Sequence, residues 1–257
     1  EVAALYDPNS ENPKESLSNA FVEGFETFPL LAKIPLLGDV ANYIPRPNWR
    51  INWSGLEEIS FFKGFAKRVS FSHAYSSSYN EGWRLTTNGE EEIQSQRIES
   101  GFAPLVGLNI TFNELWDGNL TGSIKYNTRN SFSLGASTQN ITEQFSRDIN
   151  VSASFSKAGF SLPFFGLSLK NDIEMSLSYT SGKNSTILYE MNSFNEEGEP
   201  QDGTTRTVIE PRVRYVMSSR VTLSIFYKRT SISPEGAARI PPSTTNEAGI
   251  DVRIAIQ

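Results

Sequence analysis

Residues 102–112 alternate strictly between two sets of side chains. One set holds Phe102, Pro104, Val106, Leu108, Ile110 and Phe112, and the other holds Ala103, Leu105, Gly107, Asn109 and Thr111. Successive side chains of a β-strand point to opposite faces, so this period predicts a strand with one apolar side. The same period returns along the chain and predicts about nine strands. Such strands either pack together in a soluble sandwich or turn their apolar faces to lipid around a membrane barrel.

Composition is compatible with a barrel and excludes other classes. Aromatic residues make up 12% of the 257 residues, yet the mean hydropathy is −0.35. A barrel whose strands face water on one side has this combination. The net charge of −6 and the absence of a long basic run argue against a nucleic-acid partner. No segment approaches 18 apolar residues, so no transmembrane helix is predicted.

The connections between predicted strands alternate in length. Long polar connections lie at 80–101, 182–203 and 231–244, whereas 113–118 and 218–220 are tight. Outer-membrane barrels have long loops outside the cell and short turns in the periplasm. The sequence therefore predicts an all-β fold, an antiparallel transmembrane β-barrel segment with a periplasmic C-terminus.

Two regions are expected. Residues 1–47 are predicted to be a linker with an irregular apolar stretch and one possible short helix, where Leu17, Phe21 and Phe25 have helical spacing. Residues 48–257 are predicted to be the barrel segment. The first residues carry no initiator Met and no hydrophobic signal core, so we expect the chain to be part of a longer protein or a processed product.

Parity along each strand assigns residues to lipid or lumen. The predicted lipid-facing residues are Phe102, Val106, Leu108, Ile110, Phe112, Ile173, Leu177, Tyr215, Leu223, Ile225, Ile250, Val252 and Ile254. The predicted lumen-facing residues are Glu210, Arg212, Arg214, Lys228, Asp251 and Arg253. Trp49, Trp53 and Trp116 are predicted interface aromatics, because amphipathic rings favour the membrane surface. A carbohydrate platform would instead need its exposed rings on one face of one sheet.

One hairpin register follows from parity and turn length. A three-residue loop at 218–220 makes the numbers of opposed residues add to about 438. This places Tyr215 opposite Leu223, and Glu210 opposite Lys228 as a hydrated ion pair.

No catalytic, cofactor or metal site is predicted. His73 is the only histidine and no GxSxG motif accompanies it, so we interpret it as a strand residue near an interface or a bulge. The acidic runs at 90–92 and 196–202 lack EF-hand spacing, and whether they bind Ca²⁺ is left open.

Several motifs resemble one family. They are PRPNWRINWSGL (45–56), FSHAYSSSY (71–79), SGFAPLVGLNITF (100–112), YNTRN (126–130), LKNDIEMSLSY (169–179), FYKRT (226–230) and TTN (244–246). These resemble the C-terminal region of the SprA/Sov family, the outer-membrane translocon of the type IX secretion system, which is linked to gliding motility. The resemblance covers roughly residues 45–257. The chain departs from the usual aromatic C-terminus of outer-membrane proteins, since it ends in IAIQ.

The resemblance implies a non-enzymatic, protein-conducting channel in the outer membrane of a Gram-negative cell. It implies these partners: upstream strands of the same giant barrel, a periplasmic plug protein, a companion outer-membrane barrel that accepts cargo, secreted cargo proteins and membrane lipid. The alternatives are a smaller porin or transporter barrel, and a soluble β-sandwich adhesin or carbohydrate-binding module.

Overall fold

Nine strands form one antiparallel sheet in chain order within the part of the chain that the structure describes. The structure is a computed structural model and describes residues 2–26, 46–159, 161–162, 167–168, 171–193, 195, 197–236 and 240–255. The strands of this sheet are β1 (Trp49–Ser54), β2 (Ala66–Leu85), β3 (Glu91–Phe112), β4 (Asn119–Gly135), β5 (Asn140–Lys157), β8 (Ile173–Glu190), β9 (Glu199–Val216), β10 (Val221–Pro234) and β11 (Ser243–Ile254). Each strand pairs antiparallel with the next strand of the sheet. The predicted fold class, an all-β antiparallel barrel segment, is confirmed.

Short elements complete the chain. The helices are α1 (Val2–Leu5), α2 (Pro13–Glu26) and α3 (Ser60–Lys63), with 3-10 turns at Leu56–Glu58 and Met191–Ser193. A separate two-stranded sheet pairs β6 (Ser161–Leu162) with β7 (Leu167–Ser168). The connections 55–65, 113–118, 158–172 and 217–220 lie at one end of the large sheet, here called the foot end. The connections 86–90, 136–139, 191–198 and 235–242 lie at the other, here called the rim end.

The prediction of long loops at one end and tight turns at the other was wrong, because the rim connections 86–90 and 136–139 are as short as the foot turns and the foot connection 55–65 is longer than any rim connection. Most of segment 80–101 is paired strand, because β2 runs to Leu85 and β3 starts at Glu91. The connections at 191–198 and 235–242 are likewise shorter than the polar segments 182–203 and 231–244. These segments pair through backbone hydrogen bonds, which need no apolar period in the side chains.

The tight turns agree with the sequence. Leu115 and Gly118 form a bridge around Trp116 and Asp117, whose φ angles are 51° and 55°. Positive φ at both central residues is typical of the type I′ hairpin turn. At the next tight turn, Leu223 lies opposite Tyr215 and Ile225 lies opposite Val213, so the predicted register is confirmed.

The short helix expected around Leu17, Phe21 and Phe25 is present as α2, and it packs on the sheet. Leu17 and Phe21 of α2 are fully buried against Ile98, Leu134 and Ile141 of the sheet near its rim end. Met191 is buried in the same cluster, and Val2, Tyr6 and Phe25 pack against it. Most of the expected irregular apolar stretch, residues 27–45, lies outside the described residues.

Candidate membrane-spanning wall

The register sorts the large sheet into an apolar and a polar face. The belt face holds the odd-numbered residues of β1, β2, β5, β8, β9 and β10 and the even-numbered residues of β3, β4 and β11 along their regular pairings. The polar face is the opposite one. One row of belt-face partners runs through Trp53, Phe71, Leu108, Ile124, Val151, Tyr179 and Ile209.

All thirteen residues predicted to face lipid lie on the belt face. This set is Phe102, Val106, Leu108, Ile110, Phe112, Ile173, Leu177, Tyr215, Leu223, Ile225, Ile250, Val252 and Ile254. Many of these side chains are open to the surroundings: Val106 is 44% exposed, Ile225 47% and Ile250 67%. Soluble monomers rarely expose such side chains in one contiguous patch, and exposed apolar patches of this kind mark contact with lipid or with another protein.

The apolar residues of the belt face form a continuous belt, which crosses the sheet diagonally. The row that begins at Trp53 continues beyond Ile209 to Arg229 and then to Asn246, so it leaves the apolar zone on β10 and β11. The row that begins at Leu120, near the start of β4, reaches Ile225 and Ile250 in the middle of the belt. A belt that lies parallel to the membrane plane crosses the hydrogen-bonded rows at an angle only when the strands are tilted from the membrane normal. Transmembrane barrel strands tilt by about 35–45°.

The polar face holds every residue predicted to line a lumen: Glu210, Arg212, Arg214, Lys228, Asp251 and Arg253. Small hydroxyl residues fill much of the rest, as where Ser123 and Ser152 approach to 2.7 Å across β4 and β5. Carboxylates and guanidinium groups of this face form ion pairs, including Glu174 Oε2 with Arg214 at 3.6 Å. Exposed pairs of this kind contribute about 0–1 kcal/mol each, so their main effect is a hydrated, charged wall.

The predicted Glu210–Lys228 ion pair does not form among the described residues. Glu210 Oε1 instead accepts a hydrogen bond from Arg212 at 2.9 Å, two residues further along β9. Arg212 also lies over the ring of Phe226, 5.1 Å from its centroid. The expected pairing was wrong because i and i+2 side chains share a face of the strand, and the longer Arg212 reaches Glu210.

Phe226 closes a gap in the polar face. It lies opposite Gly249, and a Cβ at Gly249 would approach the Phe226 ring to 2.6 Å. The ring thus covers a glycine on the neighbouring strand, an arrangement that shields strand glycines.

The two end strands have free edges in the described structure. β1 pairs only with β2, and β11 pairs only with β10. Both strands run from the rim end to the foot end, so they are parallel to each other. They cannot close the nine strands into an antiparallel barrel.

The predicted interface tryptophans occupy different positions. Trp116 is 74% exposed in a turn at the foot end. Trp49 stacks on Tyr75 with ring centroids 4.3 Å apart, in a row that continues to Phe102, Thr128 and then Arg147. On those strands, this row marks the limit of the belt toward the rim end. Trp53 lies within the belt rather than at its limit.

The interpretation of His73 as a strand residue near an interface or a bulge agrees with the structure, because the pairing of β2 with β3 is interrupted beside it. Sequence reasoning missed three features of the wall: the hydrogen bond of the His73 ring to the Leu105 carbonyl, the cover of α2 over the rim end of the belt face, and the packing of residues 55–65 against its foot end. The phenylalanines at 61, 62 and 65 were the available signal for the third feature.

The acidic run at 90–92 lies at the rim, beyond the belt. Glu92 accepts hydrogen bonds from Lys14 of α2 and from Arg84 of β2, both at 2.8 Å. These two cations lower the pKa of Glu92 from 4.5 to about 2. The described residues contain no group of three or more His, Cys, Asp or Glu side chains placed to hold a metal ion.

Comparisons with known proteins add little to this description. No family model and no curated protein match the chain. Among solved structures, the chain is similar to the alcaligin outer membrane receptor FauA from Bordetella pertussis, with a TM-score of 0.48 and 14% identity. The match covers 79% of this chain and 32% of the receptor, so the chain spans about a third of that protein. No described helix is long and apolar enough to span a membrane.

Proposed function

We propose that this chain forms part of the wall of an outer-membrane pore that conducts secreted proteins, and that it acts without catalysis. The observation that carries the proposal is the exposed apolar belt on tilted strands, backed by a polar face. Lipid is the medium that removes the cost of exposing such a belt. A polar wall is what a water-filled conduit needs, because a conduit works by its diameter and wall chemistry.

The free edges favour a larger barrel over a small porin. An unpaired strand edge in hydrocarbon costs several kcal/mol for each N–H or C=O group left without a partner. Since β1 and β11 are parallel, antiparallel closure needs an odd number of further strands. The family resemblance supplies a source for them, the upstream strands of one giant barrel.

The sandwich alternative has less support. A β-sandwich buries its apolar faces between two sheets about 10 Å apart. In the described residues, the segments that pack on the belt face are α2 with Val2, Tyr6 and Met191 near the rim end and residues 55–65 at the foot end, and the nine-stranded sheet has no second large sheet to cover the middle of the belt.

Protein conduction rests on the resemblance to the SprA/Sov family. The same resemblance provides the proposed partners: a periplasmic plug, a companion outer-membrane barrel and secreted cargo proteins. The proposed orientation puts the foot end and the C-terminus in the periplasm, as the sequence pattern predicts; the observed connections do not distinguish the two ends, because 86–90 and 136–139 at the rim end are as short as 113–118 and 217–220 at the foot end.

Cross-linking to a stalled cargo protein tests the proposal. The chain contains no cysteine, so single cysteines give unambiguous products. Ser176→Cys places a thiol on the polar face, and Leu177→Cys places one on the belt face of the same strand. In the full-length protein, we expect a cargo arrested in transit to cross-link to the cysteine at 176 and not at 177. Cross-linking at 177 alone, or at neither site while cargo is arrested, would contradict the proposal.

A further inference from the structure

We propose that residues 55–65, here called the aromatic foot, bind glycerophospholipid at the bilayer surface on the foot end of the wall. The inference rests on the proposed membrane function and adds a specific lipid-contact element to it. The foot contains the 3-10 turn Leu56–Glu58 and α3.

The foot is fixed to the belt face. Leu56 is 7% exposed and packs with Ala66 and Val69, in a cluster that also includes Leu108 and Ile110 of the belt. These partners belong to the surface that we assign to lipid. The foot therefore lies on the lipid side of the wall and not in the conduit.

A hydrogen bond holds the foot at this position. Glu57 Oε2 accepts from the backbone N–H of Val69 at 2.8 Å, next to the irregular pairing between Ala66 and Arg68. The backbone N–H of Asn113 also donates to the carbonyl of Phe65 at 2.9 Å, which joins the foot to turn 113–118. The foot is thus a built part of the wall.

The outer surface of the foot is aromatic. Phe61, Phe62 and Phe65 form a cluster with ring centroids 5.0–6.0 Å apart, and Phe65 lies 6.0 Å from Phe112 of the belt. Phe61 is nevertheless 74% exposed. Its apolar surface continues the belt beyond the end of the strands, at the same end as the exposed Trp116.

A basic residue lies among the rings in the sequence. Lys63, between Phe62 and Phe65, is exposed and forms no ion pair among the described residues. Glu57, an acidic residue of the foot, accepts the hydrogen bond from the Val69 N–H. Rings that enter the acyl boundary beside ammonium groups at phosphate level are typical of interfacial lipid binding. Continuity with the belt favours phospholipid over a protein partner.

Nitroxide depth measurements test this inference. Phe61→Cys, Ile225→Cys and Trp83→Cys are labelled separately in the full-length protein, which is reconstituted in phosphatidylcholine vesicles with and without phosphatidylglycerol. Collision rates with oxygen and with a water-soluble nickel complex report the depth of each label. Trp83 is a matched control, since it is 59% exposed but lies near the rim end.

We expect the label at 61 to favour oxygen over nickel, at a shallower depth than the label at 225. The label at 83 should favour nickel. In vesicles that contain phosphatidylglycerol, Lys63→Gln should make the label at 61 shallower, and Glu58→Gln should not.

Three results would overturn the inference. In the first, the label at 61 collides with the nickel complex as often as the label at 83. In the second, the label at 61 becomes buried in the bilayer only after lipopolysaccharide is added. In the third, Lys63→Gln does not change the depth of the label at 61. A label at 225 that is open to nickel would instead contradict the proposed membrane function, so the two failures are distinguishable.

Discussion

Nδ1 of His73 lies 2.7 Å from the carbonyl oxygen of Leu105, where the pairing of β2 with β3 is interrupted. Ladder partners are regular at Ser72 with Gly107 and again at Tyr75 with Phe102. Pro104 lies in between and has no N–H to donate. A carbonyl oxygen only accepts, so Nδ1 of His73 carries the proton and donates it. The imidazole thus replaces a missing ladder bond, which explains a polar ring on the belt face.

Replacing His73 should therefore destabilise the wall locally. His73→Ala leaves the Leu105 carbonyl without its partner at the belt, and we expect a loss of about 1–3 kcal/mol. The measurement is the denaturant midpoint of the membrane-extracted protein. His73→Asn retains a donor at a similar distance from the backbone and should recover much of the loss. Equal losses for the two variants would show that the hydrogen bond is unimportant.

The ion pairs of Glu92 should fasten α2 to the rim. Glu92→Gln weakens both the Lys14 and the Arg84 contacts, so trypsin should cleave after Lys14 faster than in the parent protein. Glu91→Gln is the control, because the carboxylate of Glu91 forms no ion pair among the described residues. Unchanged cleavage in Glu92→Gln would mean that apolar packing alone holds α2.

The attachment of α2 to the rim through Glu92 should weaken at acid pH. The pKa of Glu92 is about 2 in the folded protein, below its ordinary 4.5, so the stabilisation is present above pH 4.5 and is lost as the pH falls through 2. Pepsin cleavage within α2 should rise over this window in the parent protein. In Glu92→Gln, that rise should be smaller. Identical acid profiles would contradict this assignment.

The two ends of the sheet should differ in accessibility in intact cells. Asn88→Cys and Ile240→Cys lie at the rim end and should react with a membrane-impermeant maleimide. Ser219→Cys lies in a turn at the foot end and should react only after the outer membrane is opened. Ile240 is preferable to Gly236, whose φ of 63° disfavours a side chain. Reaction of Ser219→Cys alone would reverse the orientation.

The free edges predict that residues 1–257 do not assemble alone. The unpaired sides of β1 and β11 would leave backbone groups exposed to hydrocarbon, at several kcal/mol each. Expression of this segment should give aggregate, with no heat-modifiable band on electrophoresis. A compact, heat-modifiable monomer would contradict the larger barrel and favour the small porin.

Local sequence patterns predicted the belt because parity is a local property. The face of Leu223 and its register with Tyr215 followed from alternation and from the length of one turn. The role of His73 did not follow, because it depends on a bulge 32 residues away. The Glu210 partner was wrong because parity places side chains on a face but does not rank partners of similar distance.

The extent of the strands near the rim and the packing of α2 and of the aromatic foot could not be predicted, for a different reason. Near the rim, β2 keeps Tyr79, Trp83 and Leu85 at odd positions, but serine, asparagine and charged residues dominate there, so the segment is predicted to be a polar loop. The packing of Leu17 on Ile98 joins segments far apart in sequence. The bond between Glu57 and Val69 likewise depends on how β2 begins. Such contacts follow from tertiary packing and leave no local signal.

A cysteine scan along residues 222–227 of β10 tests the central claim most directly. In native outer membranes, cysteines at Thr222, Ser224 and Phe226 should react with a small water-soluble maleimide. Those at Leu223, Ile225 and Tyr227 should be protected from it and reached by a lipid-soluble quencher. The account predicts this strict two-residue period, with the polar face in water and the belt face in lipid. Uniform reaction along the strand, or the opposite period, would contradict it.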